Sequence, residues 1–453
     1  MMAPLLLVLV LGGWAGASTV WQSATWLTSM TSGFTNASHH SATDAANGAD
    51  ELFGGLLAAG GFDRGACLSR HESPRYYKHS PFAPSPYLLQ KLRDYEARRA
   101  RRCGPGTPLY AKSVEQLRSG HSSEVMECNY VVFIPYNGLG NRMLTLLSSF
   151  LYALLTERVL LVDFPGDFTD LFCEPFPGDA TTTWLLPSDF PVVDLLRLGV
   201  HSNQSYGNLL GAKKITGDPA KDTPVSVPPY VYLHLAHNLQ RADERFYCND
   251  DQLVLRKVNW LLVQSDLYFV PSLYAIPEFQ DELRWLFPAK ESVTHLLGRY
   301  LLHPSNTVWG MVTRYYHSYL APAAERIGVQ IRMFSWASIP PSHEERQDTG
   351  KRGHNQKALA EIYLLSFSDV LLTTGVSTFG YMSSALAGLR PAILLSAANH
   401  KVPETPCARI VSMEPCFHKP PTVQCQGKAA VNENVTRHIK PCEDFPQGTK
   451  LFD

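Results

Sequence analysis

Residues 357–395, KALAEIYLLSFSDVLLTTGVSTFGYMSSALAGLRPAILL, permit few folds. Leu359, Ile362, Tyr363 and Phe367 recur at the spacing of one helix face. Asp369 closes that run, and Val370–Thr374 is short, apolar and β-branched, as a buried parallel strand is. Gly375–Thr378 turns the chain, and Ser377 or Thr378 can cap a second helix over Phe379–Ala387. Gly388 ends that helix, and Ala392–Leu395 is again strand-like. Helix, strand, capped turn, helix, strand is a right-handed α/β unit. Its turn lies at the carboxyl end of a strand, where backbone N–H groups and a helix dipole favour an anion.

A second unit of the same build lies upstream. Tyr130–Tyr136 (YVVFIPY) is strand-like, Asn137–Arg142 is a Gly-rich turn, Met143–Thr156 is an apolar helix, and Val159–Asp163 is another buried strand. Gly138 and Gly140 let a backbone come close to a ligand. Asn141 and Arg142 place donors at the helix start. The spacing is not GxGxxG, there is no GxxxxGK[ST] loop, and there is no GxSxG elbow. Ile327–Arg332 (IGVQIR) is a third buried strand, ending on a lone arginine. Arg332 is either a paired structural charge or an anion ligand whose planar fork matches two phosphate oxygens. Together the two turns and Arg332 suit a diphosphate held between two α/β halves.

The remaining chain sets the compartment and the classes to exclude. The 453 residues carry a formal net charge of −1, and no Lys/Arg block points to nucleic acid. Ala3–Ala17 is uncharged and apolar, so it is a cleaved secretory signal or an uncleaved anchor. Sequons at Asn36, Asn203 and Asn434 agree with a lumenal route. Nine cysteines occur with no CxxC pair, which argues against zinc and for disulfides, with at least one thiol left over. Four of them crowd Cys407–Cys442, a loop-rich tail. Further helices are expected at 87–102, 279–287, 292–302, 306–319 and 321–326, and a strand at 230–235. Asp243, Glu244, Asp250 and Asp251 read as solvated loop charges, and no catalytic base is assigned.

The run YVVFIPYNGLGNRMLTLLSSFLYALLTERVLLVDF, the strand IGVQIR and the stretch HNQKALAEIYLLSFSDVLLTTGVSTFGYMSSALAGLRPAILL closely resemble the plant xyloglucan-type galactoside α-1,2-fucosyltransferases, glycosyltransferase family 37. FDRGACLSR, RRCGPGT, FYCNDDQ, YFVPSLY and PCFHKPP extend the resemblance from about Leu52 to the end. It implies a GT-B fold, two Rossmann-like halves facing a cleft, with GDP-fucose as donor, inversion at the fucose carbon and no metal or other cofactor. It implies transfer of L-fucose to the O2 of galactosyl residues on xyloglucan or a related cell-wall glycan. Arabinogalactan-protein glycan is the rival acceptor. A Golgi-stack, single-pass type II protein held by its amino-terminal segment is also implied, and homo- or hetero-oligomers with other glycosyltransferases stay open. Arg332 becomes the catalytic diphosphate clamp. Gly138, Gly140, Asn141, Arg142, Ser377, Thr378, Phe379, Gly380 and Tyr381 become donor-binding residues. His354 and Asn355 match the family's HN before its KALAEI helix.

The resemblance also implies domains. Residues 1–20 are signal or anchor, 21–60 stem, 61–310 the acceptor-side half, 311–400 the donor half and 401–453 a cysteine-rich tail. One departure stands out. Family members carry a long stretch between the GVQIR strand and the PSHEE segment, whereas here Met333–Ile339 is followed at once by Pro340-Pro341-Ser342-His343-Glu344-Glu345. The donor half therefore reads as shortened, with open sheet edges. The alternative function is an inactive relative that binds glycan or partners an active enzyme.

Overall fold

The computed structural model describes residues 5–11, 52–57, 63–163, 168–177, 183–331, 352–395, 404–425 and 437–453. Eleven strands are described: β1 (Leu5–Leu11), β2 (Tyr130–Pro135), β3 (Val159–Val162), β4 (Tyr230–His234), β5 (Trp260–Ser265), β6 (Glu325–Ile331), β7 (Val370–Thr374), β8 (Ala392–Leu394), β9 (Cys407–Arg409), β10 (Ile439–Pro441) and β11 (Thr449–Leu451). The longer α-helices are α1 (Pro86–Arg98), α2 (Pro108–Ser119), α3 (Leu139–Leu155), α4 (Val293–Leu301), α5 (Asn306–Tyr315), α6 (Arg352–Ser366) and α7 (Thr378–Ala387).

The strands form two main sheets. The first is entirely parallel, in the order β3-β2-β5-β4. Its central strand β2 is buried along its whole length, which explains the unbroken apolar run YVVFIP. The second has the order β1-β6-β7-β8-β9, parallel except for the edge strand β9. Two α/β layers with parallel sheets are the architecture that the sequence implies. Helix α3 lies between them. Its Leu147 meets Gly298 of α4, where an added Cβ would touch Met382 and Leu386 of α7 at 3.2 and 3.3 Å. One hydrophobic cluster accordingly runs through both halves.

Four expectations change. Residues 321–326 are not helical: β6 starts at Glu325, because the Asp369 carboxylate and backbone tie Arg326 into the sheet (Arg326 N to Asp369 Oδ2, 2.7 Å; Asp369 N to Arg326 O, 2.8 Å). Asp243, Glu244 and Asp251 are buried rather than solvated. Asp251 pairs with Arg245 at 3.0 Å, and Asp243 accepts the Gly207 N–H at 3.0 Å. The edge of β6, expected to be open, is paired along its length with β1, from Leu5↔Glu325 to Leu11↔Ile331. That segment is the apolar run read above as signal or anchor, and among the described residues no helix is long and apolar enough to cross a membrane. Finally, the tail is not only loops: it supplies β9 to the second sheet, and Cys248–Cys425 ties it to the first half. Cys67–Cys173, Cys103–Cys128 and Cys416–Cys442 are the other disulfides, and Cys407 is the free thiol.

Candidate active site

The two Gly-rich turns meet. After β2 the chain enters a left-handed conformation at Asn137 (φ 70°), whose Oδ1 accepts the Gly138 N–H at 3.0 Å. Gly138 then serves as the N-cap of α3. After β7 a left-handed Val376 (φ 58°) leads to Ser377, the N-cap of α7, whose hydroxyl accepts the Gly380 N–H at 3.4 Å. The Thr378 hydroxyl donates to Asn141 Oδ1 at 2.8 Å across the two halves. Gly140 has no room for a side chain: a Cβ there would lie 2.7 Å from Thr378 Oγ1 and 2.9 Å from the Phe379 N. Two helix N-termini thus converge at the carboxyl ends of two parallel sheets. The first-turn N–H groups of each helix lack intrahelical acceptors, and the two dipoles add. An anion is the ligand such a junction favours.

Around this junction the predicted residues are committed in specific ways. Asn141 Nδ2 donates to the Asp266 carbonyl at 3.0 Å, and Arg142 Nε to the Asn137 carbonyl at 2.7 Å. Asn141 therefore joins the halves and Arg142 braces its own turn. Gly140 provides the close approach between halves, while Gly138 faces open space. Gly380 packs against Thr373 and the Gln330 amide. Asn355 is buried near the start of α6. Gln330 of β6 also holds Thr374 at both its N–H and its hydroxyl, each at 3.2 Å. β6 ends at Ile331 beside this turn, and Arg332, next in sequence, lies outside the described residues.

Three groups that the sequence reading missed complete the site. Asp266, just past β5, is 4 % exposed and accepts from the His237 N–H (2.9 Å), His237 Nδ1 (2.6 Å) and Asn137 Nδ2 (3.0 Å). His237 itself is 59 % exposed. With Nδ1–H given to the carboxylate, Nε2 is left as the accepting nitrogen, the arrangement of a carboxylate-oriented base. Asp444 of the tail accepts the Val376 N–H at 2.7 Å and the Tyr381 hydroxyl at 2.5 Å, which fixes the strained turn from below. Burial and the Asp444 carboxylate hold the Tyr381 phenol well above its ordinary pKa, so it stays a donor. No sequence motif marks these residues. Only adjacency of the β4 and β5 ends brings His237 to Asp266. Cys416, Cys442 and Asp444 also lie together, but the two sulfurs are bonded to each other and offer no thiolate to a metal.

Comparison with known proteins fits this arrangement. The family described as xyloglucan fucosyltransferase matches residues 25–341 and 339–426, two stretches that meet near residue 340. A galactoside 2-alpha-L-fucosyltransferase of Pisum sativum is 44 % identical, over 89 % of this chain and 82 % of its own. The protein of the same name from Arabidopsis thaliana is 43 % identical, over 89 % and 83 %. The solved structure of an Arabidopsis thaliana FUT1 mutant in complex with GDP superposes with a TM-score of 0.79 at 43 % identity, covering 89 % of this chain and all of that one. The pea alignment runs over 477 residues, more than the 453 of this chain, so that relative carries residues this one lacks. By sequence and by fold, this chain belongs to the xyloglucan fucosyltransferase family.

Proposed function

We propose that the protein transfers L-fucose from GDP-fucose to the O2 of a galactosyl residue on xyloglucan or a related cell-wall glycan, with inversion. The observation that carries this is the meeting of α3 and α7 at their N-termini, joined by Thr378 and Asn141. Negative charge grows on the β-phosphate as the fucose C1–O bond breaks. Fixed dipoles stabilise that charge more than they stabilise the ground state. Arg332 follows directly on β6 and would add a bidentate cation to the leaving diphosphate. The bonding pair leaves with GDP. The galactosyl O2 attacks from the opposite face, and its proton passes to His237 Nε2, oriented by Asp266. Charge on the departing nucleotide is met by these groups without a metal, so chelators leave transfer unchanged in this reading.

The lumen of the Golgi stack is the matching setting. Four disulfides support an oxidising compartment, and Asn203 is an exposed sequon. Membrane anchoring and pairing with β6 would draw on the same residues, Leu5–Leu11, and so exclude one another. A second reading, a shortened glycan-binding relative, would require glycan binding without transfer.

Release of GDP from GDP-fucose by the purified protein decides between them, measured with galactosylated xyloglucan, with arabinogalactan-protein glycan and without acceptor. Acceptor-dependent release supports the transferase, and glycan binding without release supports the relative. In an active protein, Arg332→Ala should lower kcat by about 10²–10³-fold, the typical cost of one transition-state charge partner. His237→Ala should lower it by about 10²–10⁴-fold. Near-normal rates for either variant would refute the role given to that residue.

A further inference from the structure

At the amino ends of the first sheet's strands, the end remote from the candidate site, lies a cavity of about 500 Å³. Asn129 before β2, Thr156 and Glu157 between α3 and β3, and Arg256 ahead of β5 place it there. Buried Leu155 and Phe279 give it an apolar floor. Its volume falls within the roughly 300–1,000 Å³ of ordinary ligand sites. Helix α3 starts at the candidate site and ends at this cavity. Its 17 residues, at about 1.5 Å each, put roughly 25 Å between the two.

We infer that this cavity and the aromatic pair beside it form a second glycan-binding site, which holds an extended, neutral cell-wall polysaccharide away from the reaction centre. The inference rests on the glycan substrate proposed above and adds a place that grips the polymer without taking part in transfer. Charge argues for it first. The lining carries four basic and four acidic side chains, matched as Lys91–Glu282 (2.8 Å), Arg98–Glu157 (3.1 Å), Arg102–Glu127 (2.7 Å) and Arg256–Glu278 (2.6 Å). Their charges cancel, so neither a phosphate nor a cation is drawn there, whereas an uncharged polyol needs no net charge. An ion pair engages only part of a carboxylate's lone pairs and of a guanidinium's N–H groups. What is left over suits the neighbouring hydroxyls of a pyranose.

The aromatic pair supplies the apolar half of sugar recognition. Trp285 is 53 % exposed and Tyr87 38 %, with ring centroids 5.6 Å apart. Trp285 stands three residues after Glu282 on the helix Gln280–Leu286, and Tyr87 four residues before Lys91 on α1. Each ring therefore shares a helix face with a residue of the cavity lining. The Tyr87 hydroxyl donates to Glu282 Oε2 at 2.8 Å, which joins platform to cavity. The C–H face of a pyranose packs on the electron-rich face of such rings. The platform is fixed from beneath: Ser85, the N-cap of α1, bridges the Trp285 and Leu286 carbonyls through its hydroxyl at 2.9 Å each. A platform already in place costs little to order on binding. Its distance from the reaction centre asks for a polymer rather than a single sugar, and a polymer gripped here raises the local concentration of its galactosyl branches at the reaction centre.

The test uses the full chain with Trp285→Ala, and with Trp285→Phe as the conservative variant. Position 285 is exposed and its carbonyl keeps the bond to Ser85, so neither change should cost folding. With polymeric galactosylated xyloglucan as acceptor, Trp285→Ala should raise KM about tenfold, the loss of one stacked ring, and Trp285→Phe about threefold. Both kcat and the KM for an oligosaccharide of a single repeat should stay within about twofold of wild type. An unchanged polymer KM in Trp285→Ala overturns the inference. So does an equal rise for polymer and oligosaccharide, which would place Trp285 at the reaction centre. Affinity electrophoresis in gels containing the same polymer, without GDP-fucose, separates this result from failure of the transferase reading. If wild type is retarded and Trp285→Ala is not, the second site stands whether or not turnover occurs. If wild type runs as in a plain gel, or both are retarded alike, the site is wrong. A wild-type dimer that Trp285→Ala turns into a monomer in light scattering would give this face to a second copy of the chain, and overturns the inference too.

Discussion

Val376 is where local chemistry and function collide. A β-branched residue in the left-handed region costs roughly 1–3 kcal/mol, and such strain persists only where the surroundings impose it. The Asp444 carboxylate imposes it here, holding the Val376 N–H and the Tyr381 hydroxyl together. Asp444→Ala should therefore release the donor turn, weaken GDP binding and lower kcat/KM by about 100-fold, as a misplacement of about 1 Å does. Asp444→Asn keeps one oxygen that can accept both donors but loses the charge, so it should fall between. A calorimetric GDP titration of the three proteins gives the order directly, and equal affinities would remove Asp444 from the site. The Ser377 cap and the Gly388 stop were legible in the sequence, because capping chemistry is local. Asp444 was not, since it reaches this turn from 68 residues away.

At the scale of elements, the decisive contact joins the starts of α3 and α7. Both strand–turn–helix units were readable, since each carries its own apolar period and punctuation. Their mutual contact was not, because Thr378 and Asn141 are 237 residues apart and neither belongs to a motif that names its partner. Gly140→Ala tests the contact. The new methyl would overlap Thr378 Oγ1 and the Phe379 N, so stability should fall by about 1–3 kcal/mol in urea. GDP affinity should fall with it. Gly138→Ala has open space and should do neither. If the two variants behave alike, the helix starts do not touch as described. The helix expected at 321–326 illustrates the limit: Ala-rich local preference was overruled where Asp369 ties the Arg326 backbone into the start of β6.

Across the whole molecule, buried ionisable groups make stability depend on pH. Glu414 of the tail accepts the Thr294 N–H at 2.8 Å and the Thr294 hydroxyl at 3.0 Å, and it takes a short hydrogen bond from Tyr268. Complete burial nevertheless pushes its pKa up from 4.5 to about 7. Between those values the folded state holds a proton that the unfolded state has released. This contribution to stability is full below about pH 4.5 and is lost as pH rises through about 7. Tm should fall as pH rises from about 4.5 to 7 and level off above, and Glu414→Gln should flatten that slope. A slope unchanged by the substitution would show that the carboxyl ionises normally. Reducing Cys248–Cys425, which closes 177 residues and pins the tail to the first half, should cost about 2–4 kcal/mol and loosen Asp444 with it.

The sequence alone determined the α/β units, their turns and caps, the disulfide-rich character and the family. Each of these is written in neighbouring residues or in a pattern of fixed period. The tertiary structure decided which turn faces which, which cysteine is left unpaired, and that His237 meets Asp266. Such contacts form only after separate strands are laid side by side, and a chain carries no local mark of what it will later touch.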